Sequence, residues 1–309
     1  MKQRLGLVVR VLGTVAALAW IVTRVDVLAA RDALARIPLR TFAIAVGLVA
    51  ANVVAGATRW RVLLGAYGAT RIARLATLVR LYVIAFFYNT YLPGAVAGDV
   101  GRGVVTRHAF DEEGATGALA VVLVERALGL FGLFALLAVG LVATPGAIDR
   151  GALWWWTVLG SLGSFALVAA IPLARTLGPR LPARLARLAT LAGKLPALHD
   201  RRGFAAAIAL SIATQALVAI AGWVVLAELA PIDLTASLLV IPLAAATTFL
   251  PITVGGAGAR EAVYVTLCAS LFGMPQADAL AASLGLWLAH LIVGAAGGLA
   301  QLSRNPDIT

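Results

Sequence analysis

Two short polar segments carry most of the residues in this sequence that could do chemistry. The first, residues 88–102, reads YNTYLPGAVAGDVGR, and the second, residues 250–260, reads LPITVGGAGAR. Aligned without gaps, they share a proline, a glycine and an arginine, at the matched positions Pro93 and Pro251, Gly98 and Gly256, and Arg102 and Arg260. Proline and glycine disfavour helix, so each segment interrupts the apolar stretch around it. In a membrane protein, paired breaks of this kind indicate a transport site.

Charged side chains at membrane depth are costly and therefore mark functional sites. The candidates in this sequence lie in the two segments and in one apolar stretch between them: Asp99, Arg102, Glu125, Arg126, Arg260 and Glu261. A weaker candidate is His290, in the last apolar run. Adjacent residues on a helix point about 100° apart, so Glu125 and Arg126 each need a partner from elsewhere. We expect Glu125 to pair with Arg102 or Arg260, and Arg126 to face Asp99 or a substrate. The alternative is an ion-pair network with a purely structural role.

The glycines of both segments allow tight turns and leave backbone N–H groups unobstructed at the start of a short helix. The N-terminus of a helix attracts anions. An arginine one turn further along, Arg102 or Arg260, would add bidentate recognition of a phosphate. The two segments therefore predict two anion sites, although glycine also serves close helix packing in membranes.

The composition places the 309 residues in one integral membrane domain. Hydrophobic residues make up 61% of the chain and charged residues only 13%, whereas soluble domains are about one quarter charged. The net charge of +11 comes from basic residues in short loops, which argues for orientation and lipid headgroup contacts rather than nucleic acid. No hydrolase, zinc-protease or nucleotide-binding motif is present, so we expect a transporter rather than an enzyme, with no metal and no cofactor.

The pattern of apolar runs predicts an all-α, polytopic fold. A helix needs about 20 residues to cross a membrane, and six runs meet this length: 5–23, 40–58, 117–142, 153–173, 204–228 and 279–301. The two interrupted regions, 76–103 and 237–273, are interpreted as re-entrant helical hairpins. The alternative interpretation is that both polar segments are ordinary loops between complete spans.

Loop charges set the predicted orientation in the cell (inner) membrane. Basic residues that follow the second crossing, Arg59 and Arg61 among them, fall on the same side as both termini, and this side is the cytoplasm. The segment 24–36 has mixed charge and becomes an outer loop, and 180–198 an amphipathic helix on the cytoplasmic surface. Residues 1–150 and 151–309 then form an inverted repeat whose hairpin tips approach one another near the midplane.

Three motifs occur in order along the chain. The first is Asn89-x-x-Leu92-Pro93-Gly94 followed by Gly98-Asp99-x-x-Arg102, the second is Glu125-Arg126-x-x-Gly129, and the third is Pro251 followed by Gly255-Gly256-x-Gly258-x-Arg260-Glu261. Together they resemble the membrane domain of lysylphosphatidylglycerol synthases, which also occurs alone in flippase-like proteins. The resemblance covers nearly the whole chain. It implies a stand-alone member, because the sequence holds no aminoacyl-transferase domain.

The resemblance implies a lipid translocase that moves a polar, anionic phospholipid or glycolipid headgroup between the leaflets. Two alternatives stay open: a scaffold or regulatory subunit for a lipid-modifying enzyme, and an ion-coupled transporter of a small anion. The expected partners are membrane lipids and a glycosyl- or aminoacyl-transferase. From the charges and the motifs together, the expected substrate-binding residues are Asn89, Pro93, Gly94, Gly98, Asp99, Arg102, Glu125, Arg126, Pro251, Gly255, Gly256, Gly258, Arg260 and Glu261.

Overall fold

The computed structural model describes residues 2–91, 96–111, 113–144, 150–180, 182–249 and 256–302. Within these ranges all regular structure is helical. The α-helices are, in chain order, α1 (Lys2–Arg24), α2 (Val27–Arg36), α3 (Leu39–Ala66), α4 (Leu75–Tyr91), α5 (Ala97–Val105), α6 (Gly114–Ala143), α7 (Arg150–Leu177), α8 (Ala186–Gly193), α9 (Arg201–Ala227), α10 (Leu234–Ala246), α11 (Ala259–Phe272) and α12 (Gln276–Leu302). The predicted all-helical membrane fold is confirmed at this level.

Within the described ranges, five helices are long and apolar enough to cross a membrane: α3, α6, α7, α9 and α12. They coincide with five of the six predicted crossings. The sixth, 5–23, lies in α1, of which only 14–24 is recognised as a shorter apolar helix among the described residues. Its crossing of the membrane therefore stays a prediction.

Helix α3 continues well beyond the predicted end of its apolar run at residue 58. The helix ends at Ala66. It continues past residue 58 because the face that carries Trp60, Leu63 and Leu64 is buried against the rest of the bundle. The placement of Arg59 and Arg61 in a loop after the second crossing is therefore wrong, because both lie inside α3. Arg59 lies inside the helix and is buried.

The two polar segments do break helices. Helices α4 and α5 flank the first segment and pack on each other, and Gly98 N donates a hydrogen bond to Asn89 Oδ1 across the break at 3.0 Å. Helix α10, extended by a 3-10 turn at Thr247–Phe249, packs on α11 in the same way. The expected site residues Pro93, Gly94, Pro251 and Gly255 lie outside the described residues. Re-entrance into the membrane stays a prediction.

The same series of elements occurs twice: a long helix, a short one, a long one, a broken pair and a last long helix. Helices α1 to α6 form the first series, and α7 to α12 form the second. The last helix of each series packs on the broken pair of the other, α12 on α4 and α6 on α10, while α3 packs along α9. The two series are thus intertwined, and their buried hydrophobic side chains form three clusters among the described residues. Their inverted relation and the boundary at residue 150 stay predictions.

Two connecting segments differ from the expectation. The segment 24–36 is mostly helix α2, because Asp26 Oδ1 accepts hydrogen bonds from the N–H groups of Leu28 and Ala29. The helix packs on α12, where Arg36 forms an ion pair with Asp278. The expected amphipathic helix 180–198 is shorter, with α8 preceded by two 3-10 turns.

Two glycines, one on α5 and one on α12, allow these helices to pack closely against the backbone of α4. A Cβ atom on Gly98 of α5 would lie 2.0 Å from the carbonyl oxygen of Ala85, and one on Gly297 of α12 would lie 2.1 Å from that of Val83. Backbone atoms cannot give way as side chains do, so small residues are required at these contacts. Both glycines therefore fix the position of α4 between α5 and α12.

The substitution Gly297→Ala is expected to lower the free energy of unfolding by about 1–3 kcal/mol, because overpacking a close helix contact forces the backbone apart. Thermal unfolding in detergent micelles measures the effect. The matched control is Gly47→Ala in α3, since no atom lies within 4 Å of the added methyl group. Equal unfolding temperatures for the two variants would contradict the close-packing argument.

Candidate functional site

The carboxylate of Glu125 is the centre of the polar interior. Helix α6 places it where the side chain is only 1% exposed. Oε1 accepts hydrogen bonds from Arg59 Nη2 at 2.8 Å and from the Tyr82 hydroxyl at 3.0 Å, and Oε2 lies 2.6 Å from Arg102 Nη1. One buried carboxylate thus joins α3, α4, α5 and α6.

Arg102 contacts two carboxylates and two aromatic rings. Its Nε donates to Asp99 Oδ1 at 2.9 Å, and its guanidinium carbon lies 4.7 Å from the ring centroid of Trp60 and 4.6 Å from that of Tyr82. Aromatic faces attract a guanidinium through their quadrupoles. With its side chain only 3% exposed, Arg102 is part of the framework of the site.

Asp99 extends the network to the edge of the interior. Its Oδ2 accepts a hydrogen bond from Arg126 Nε at 2.7 Å, and the Arg126 side chain is 31% exposed. The expected pairings of Glu125 with Arg102 and of Arg126 with Asp99 are therefore confirmed. The alternative pairing of Glu125 with Arg260 is not what the structure shows.

The second broken pair carries its own charged unit. Arg260 and Glu261, at the start of α11, form an ion pair, and Glu261 Oε2 accepts a hydrogen bond from the backbone N–H of Gly258 at 2.7 Å. This bond caps the helix. Gly256 and Gly258 have φ values of 80° and 81°, a conformation that glycine adopts without strain. The backbone break therefore positions both charges.

A cavity of about 350 Å³ brings the two units together. Helices α3, α4, α5, α6, α9, α10, α11 and α12 all contribute to its wall. The expected site residues that line it are Asn89, Asp99, Arg102, Glu125, Arg126 and Arg260. The other described candidates are not among its lining residues: Gly98, Gly256 and Gly258 belong to the backbone breaks, and Glu261 pairs with Arg260.

Several lining residues were missed by the sequence analysis or given little weight. Arg59 was assigned to a loop, although a helical pattern that continued through Trp60 and Leu63 could have signalled its burial. Gln215, a lone amide in the apolar helix α9, donates to the carbonyl oxygen of Gly129 at 3.0 Å. The aromatic residues Tyr82, Tyr264 and Trp287 gave no signal of their own, and His290 was only a weak candidate.

The fold and the site together define a polytopic helical membrane protein with an arginine-rich cavity between two broken helix pairs. Residues 6–298 match the family described as lysylphosphatidylglycerol synthase TM region. The chain belongs to this family, as its three motifs predicted. Comparison with curated proteins gave no match. Membership indicates a membrane protein of lipid metabolism or translocation.

The substitution Glu125→Gln is expected to lower the free energy of unfolding by about 3–5 kcal/mol, because it leaves Arg59 and Arg102 buried without their shared counter-ion. Chemical denaturation in detergent micelles measures the loss. The matched control is Asp111→Asn, which breaks an exposed pair with Arg71 and should change stability by less than about 1 kcal/mol. Similar losses of unfolding free energy in the two variants would show that the buried ion pairs of Glu125 stabilise the protein no more than an exposed pair does.

Proposed function

We propose that this protein is a flippase-like lipid translocase that moves an anionic headgroup between the leaflets of the cell membrane. The observation that carries the proposal is the cavity itself, since residues from both broken helix pairs line one polar space inside an otherwise apolar bundle. Intramembrane cavities lined by charged groups mark substrate paths. Membership in a lipid family favours a lipid as the substrate.

The charge of the site favours an anion. Four arginines, Arg59, Arg102, Arg126 and Arg260, are set against three carboxylates, Asp99, Glu125 and Glu261. Among the described residues of the site one positive charge is therefore in excess, in a region where low dielectric strengthens its field. A phosphate headgroup would supply the missing counter-charge.

Exposure divides the arginines into two roles. Arg59 and Arg102 are enclosed, with side chains 8% and 3% exposed, and they serve the framework. Arg126 and Arg260 are more accessible, at 31% and 16%. We therefore assign headgroup contact to Arg126 and Arg260, oriented by Asp99 and Glu261, and give Arg102 a positioning role in place of the direct contact that its motif predicted.

The proposed path keeps the acyl chains in the bilayer while the headgroup passes through the cavity. The two intertwined series of helices would rock against one another to open the cavity to each leaflet in turn, as in transporters built from repeats. Both termini face the cytoplasm in this proposal, and a lipid-modifying transferase is the partner that would supply or use the lipid.

The scaffold alternative draws on one observation, the burial of the Arg59–Glu125–Arg102 unit. Ion pairs that are enclosed this completely can serve to hold helices together, whatever the protein does. Variants of Arg126 and Arg260 separate the two functions, because a scaffold needs the framework and makes no demand on the accessible cations.

The substitution Arg260→Gln is expected to slow headgroup translocation at least roughly tenfold, since the lost charge-assisted hydrogen bonds contribute about 1.5–3 kcal/mol. Arg126→Gln should act in the same direction. The measurement is dithionite quenching of fluorescent phosphatidylglycerol in liposomes that contain the full chain.

The control is Arg36→Gln, which removes an arginine from an ion pair between two helices but outside the cavity. It should translocate at the rate of the unsubstituted protein. Rates for Arg126→Gln and Arg260→Gln that equal the control would remove the translocase proposal and favour the scaffold.

A further inference from the structure

The carboxylates at the cavity are already occupied by basic or N–H partners. Asp99 accepts from both Arg102 and Arg126, and Glu125 is paired with both Arg59 and Arg102. Glu261 holds Arg260 and the N–H of Gly258. An ammonium group in a headgroup needs an acidic or carbonyl partner. An ammonium group that entered would compete with these arginines for the carboxylates.

The cavity also contains an uncommitted polar group. Tyr264 lines it and is 1% exposed, and the Tyr264 hydroxyl has no hydrogen-bond partner among the described residues. A buried hydroxyl without a partner loses about 1–3 kcal/mol of hydrogen bonding. Such a group is expected to gain a partner when a ligand binds.

Two neighbouring helices place Tyr264 and His290 in the same cavity wall as the accessible cation Arg260. Arg260 and Tyr264 are four residues apart on α11 and so lie on the same face. On α12, His290 also lines the cavity, and its Nδ1 lies 2.8 Å from the carbonyl oxygen of Leu286. A carbonyl only accepts, so Nδ1 is the donor, and Nε2 of the neutral ring is an acceptor. The wall near Arg260 thus offers both a hydroxyl and an acceptor.

We infer that the cavity selects an anionic headgroup that carries hydroxyl groups beside its phosphate, and that Tyr264 is the specificity-determining residue. This inference rests on the proposed function. The phosphate pairs with Arg126 and Arg260, and an adjacent headgroup hydroxyl exchanges hydrogen bonds with Tyr264 and His290. A cationic, aminoacylated headgroup is rejected, because the carboxylates are occupied and the excess charge of the site repels it.

Three lipids that share one fluorescent acyl chain test the inference in proteoliposomes of the full chain. Phosphatidylglycerol is anionic with two hydroxyls, phosphatidylpropanol is anionic without them, and lysylphosphatidylglycerol is cationic. The expected rates fall in this order, with a difference of roughly three- to tenfold between the first two, as for one buried hydrogen bond. Lysylphosphatidylglycerol translocated as fast as phosphatidylglycerol would overturn the inference.

The variant Tyr264→Phe removes only the hydroxyl. It should bring the ratio of the phosphatidylglycerol and phosphatidylpropanol rates to about 1. The matched control is Tyr67→Phe, since Tyr67 follows α3, packs edge-on against Phe204 and does not line the cavity. The control should keep the ratio of the unsubstituted protein. A ratio unaffected by Tyr264→Phe would overturn the assignment of this residue.

Thermal stabilisation in detergent by the same three lipids separates the inference from the proposed function. If no lipid is translocated but phosphatidylglycerol stabilises the protein more than phosphatidylpropanol does, and Tyr264→Phe removes the difference, the site stands and the translocase proposal fails. Equal stabilisation by all three lipids would overturn the inference. The same measurement is made with soluble glycerol 3-phosphate. If it stabilises the protein as much as phosphatidylglycerol does, the assignment of the ligand as a lipid is overturned.

Discussion

The structure depends on one buried carboxylate shared between two arginines. Glu125 is costly to enclose in an apolar bundle, and it is tolerated because Oε1 accepts hydrogen bonds from Arg59 and the Tyr82 hydroxyl while Oε2 forms an ion pair with Arg102. These partners come from three other helices, so the charge balance fixes the relative positions of α3, α4, α5 and α6. Hydrophobic packing alone could not do this in lipid, where apolar helix surfaces gain little by leaving the bilayer.

The two broken helix pairs are held by different forces. The first is fixed by ion pairs in which Arg102 of α5 reaches Glu125 of α6, and by the bond from Gly98 N to Asn89 Oδ1 that spans the break. The second is fixed by the backbone, through left-handed glycines and the capping carboxylate of Glu261. The first side of the cavity is therefore rigid around its charges, whereas Arg260 is tethered mainly to its own neighbour in the sequence.

Sequence reasoning found the features that depend on few residues. The length of the apolar runs predicted five of the crossings, and the prolines and glycines predicted both helix breaks. The cost of burying an unpaired charge predicted that Glu125 pairs with Arg102. Sequence reasoning failed where burial depends on distant helices. Arg59 directly follows the predicted apolar run of α3, and its partners Ser211 on α9 and Glu125 on α6 lie far away in the sequence. Tyr264 lies among apolar residues in the sequence, so only the structure shows that its hydroxyl is buried without a hydrogen-bond partner in the described part of the chain.

The arrangement of charges also explains how an anionic headgroup could enter without stranding an ion. Asp99 bridges Arg102 and Arg126, so a phosphate that replaces it at Arg126 leaves this carboxylate still paired. Glu261 likewise keeps its bond to Gly258 N if Arg260 turns to the phosphate. Each exchange substitutes one anion for another at the same cation, which avoids the large penalty of an unpaired buried charge. In the proposed translocation, departure of the headgroup would restore the original pairs, so binding in the cavity would be reversible, as transport requires.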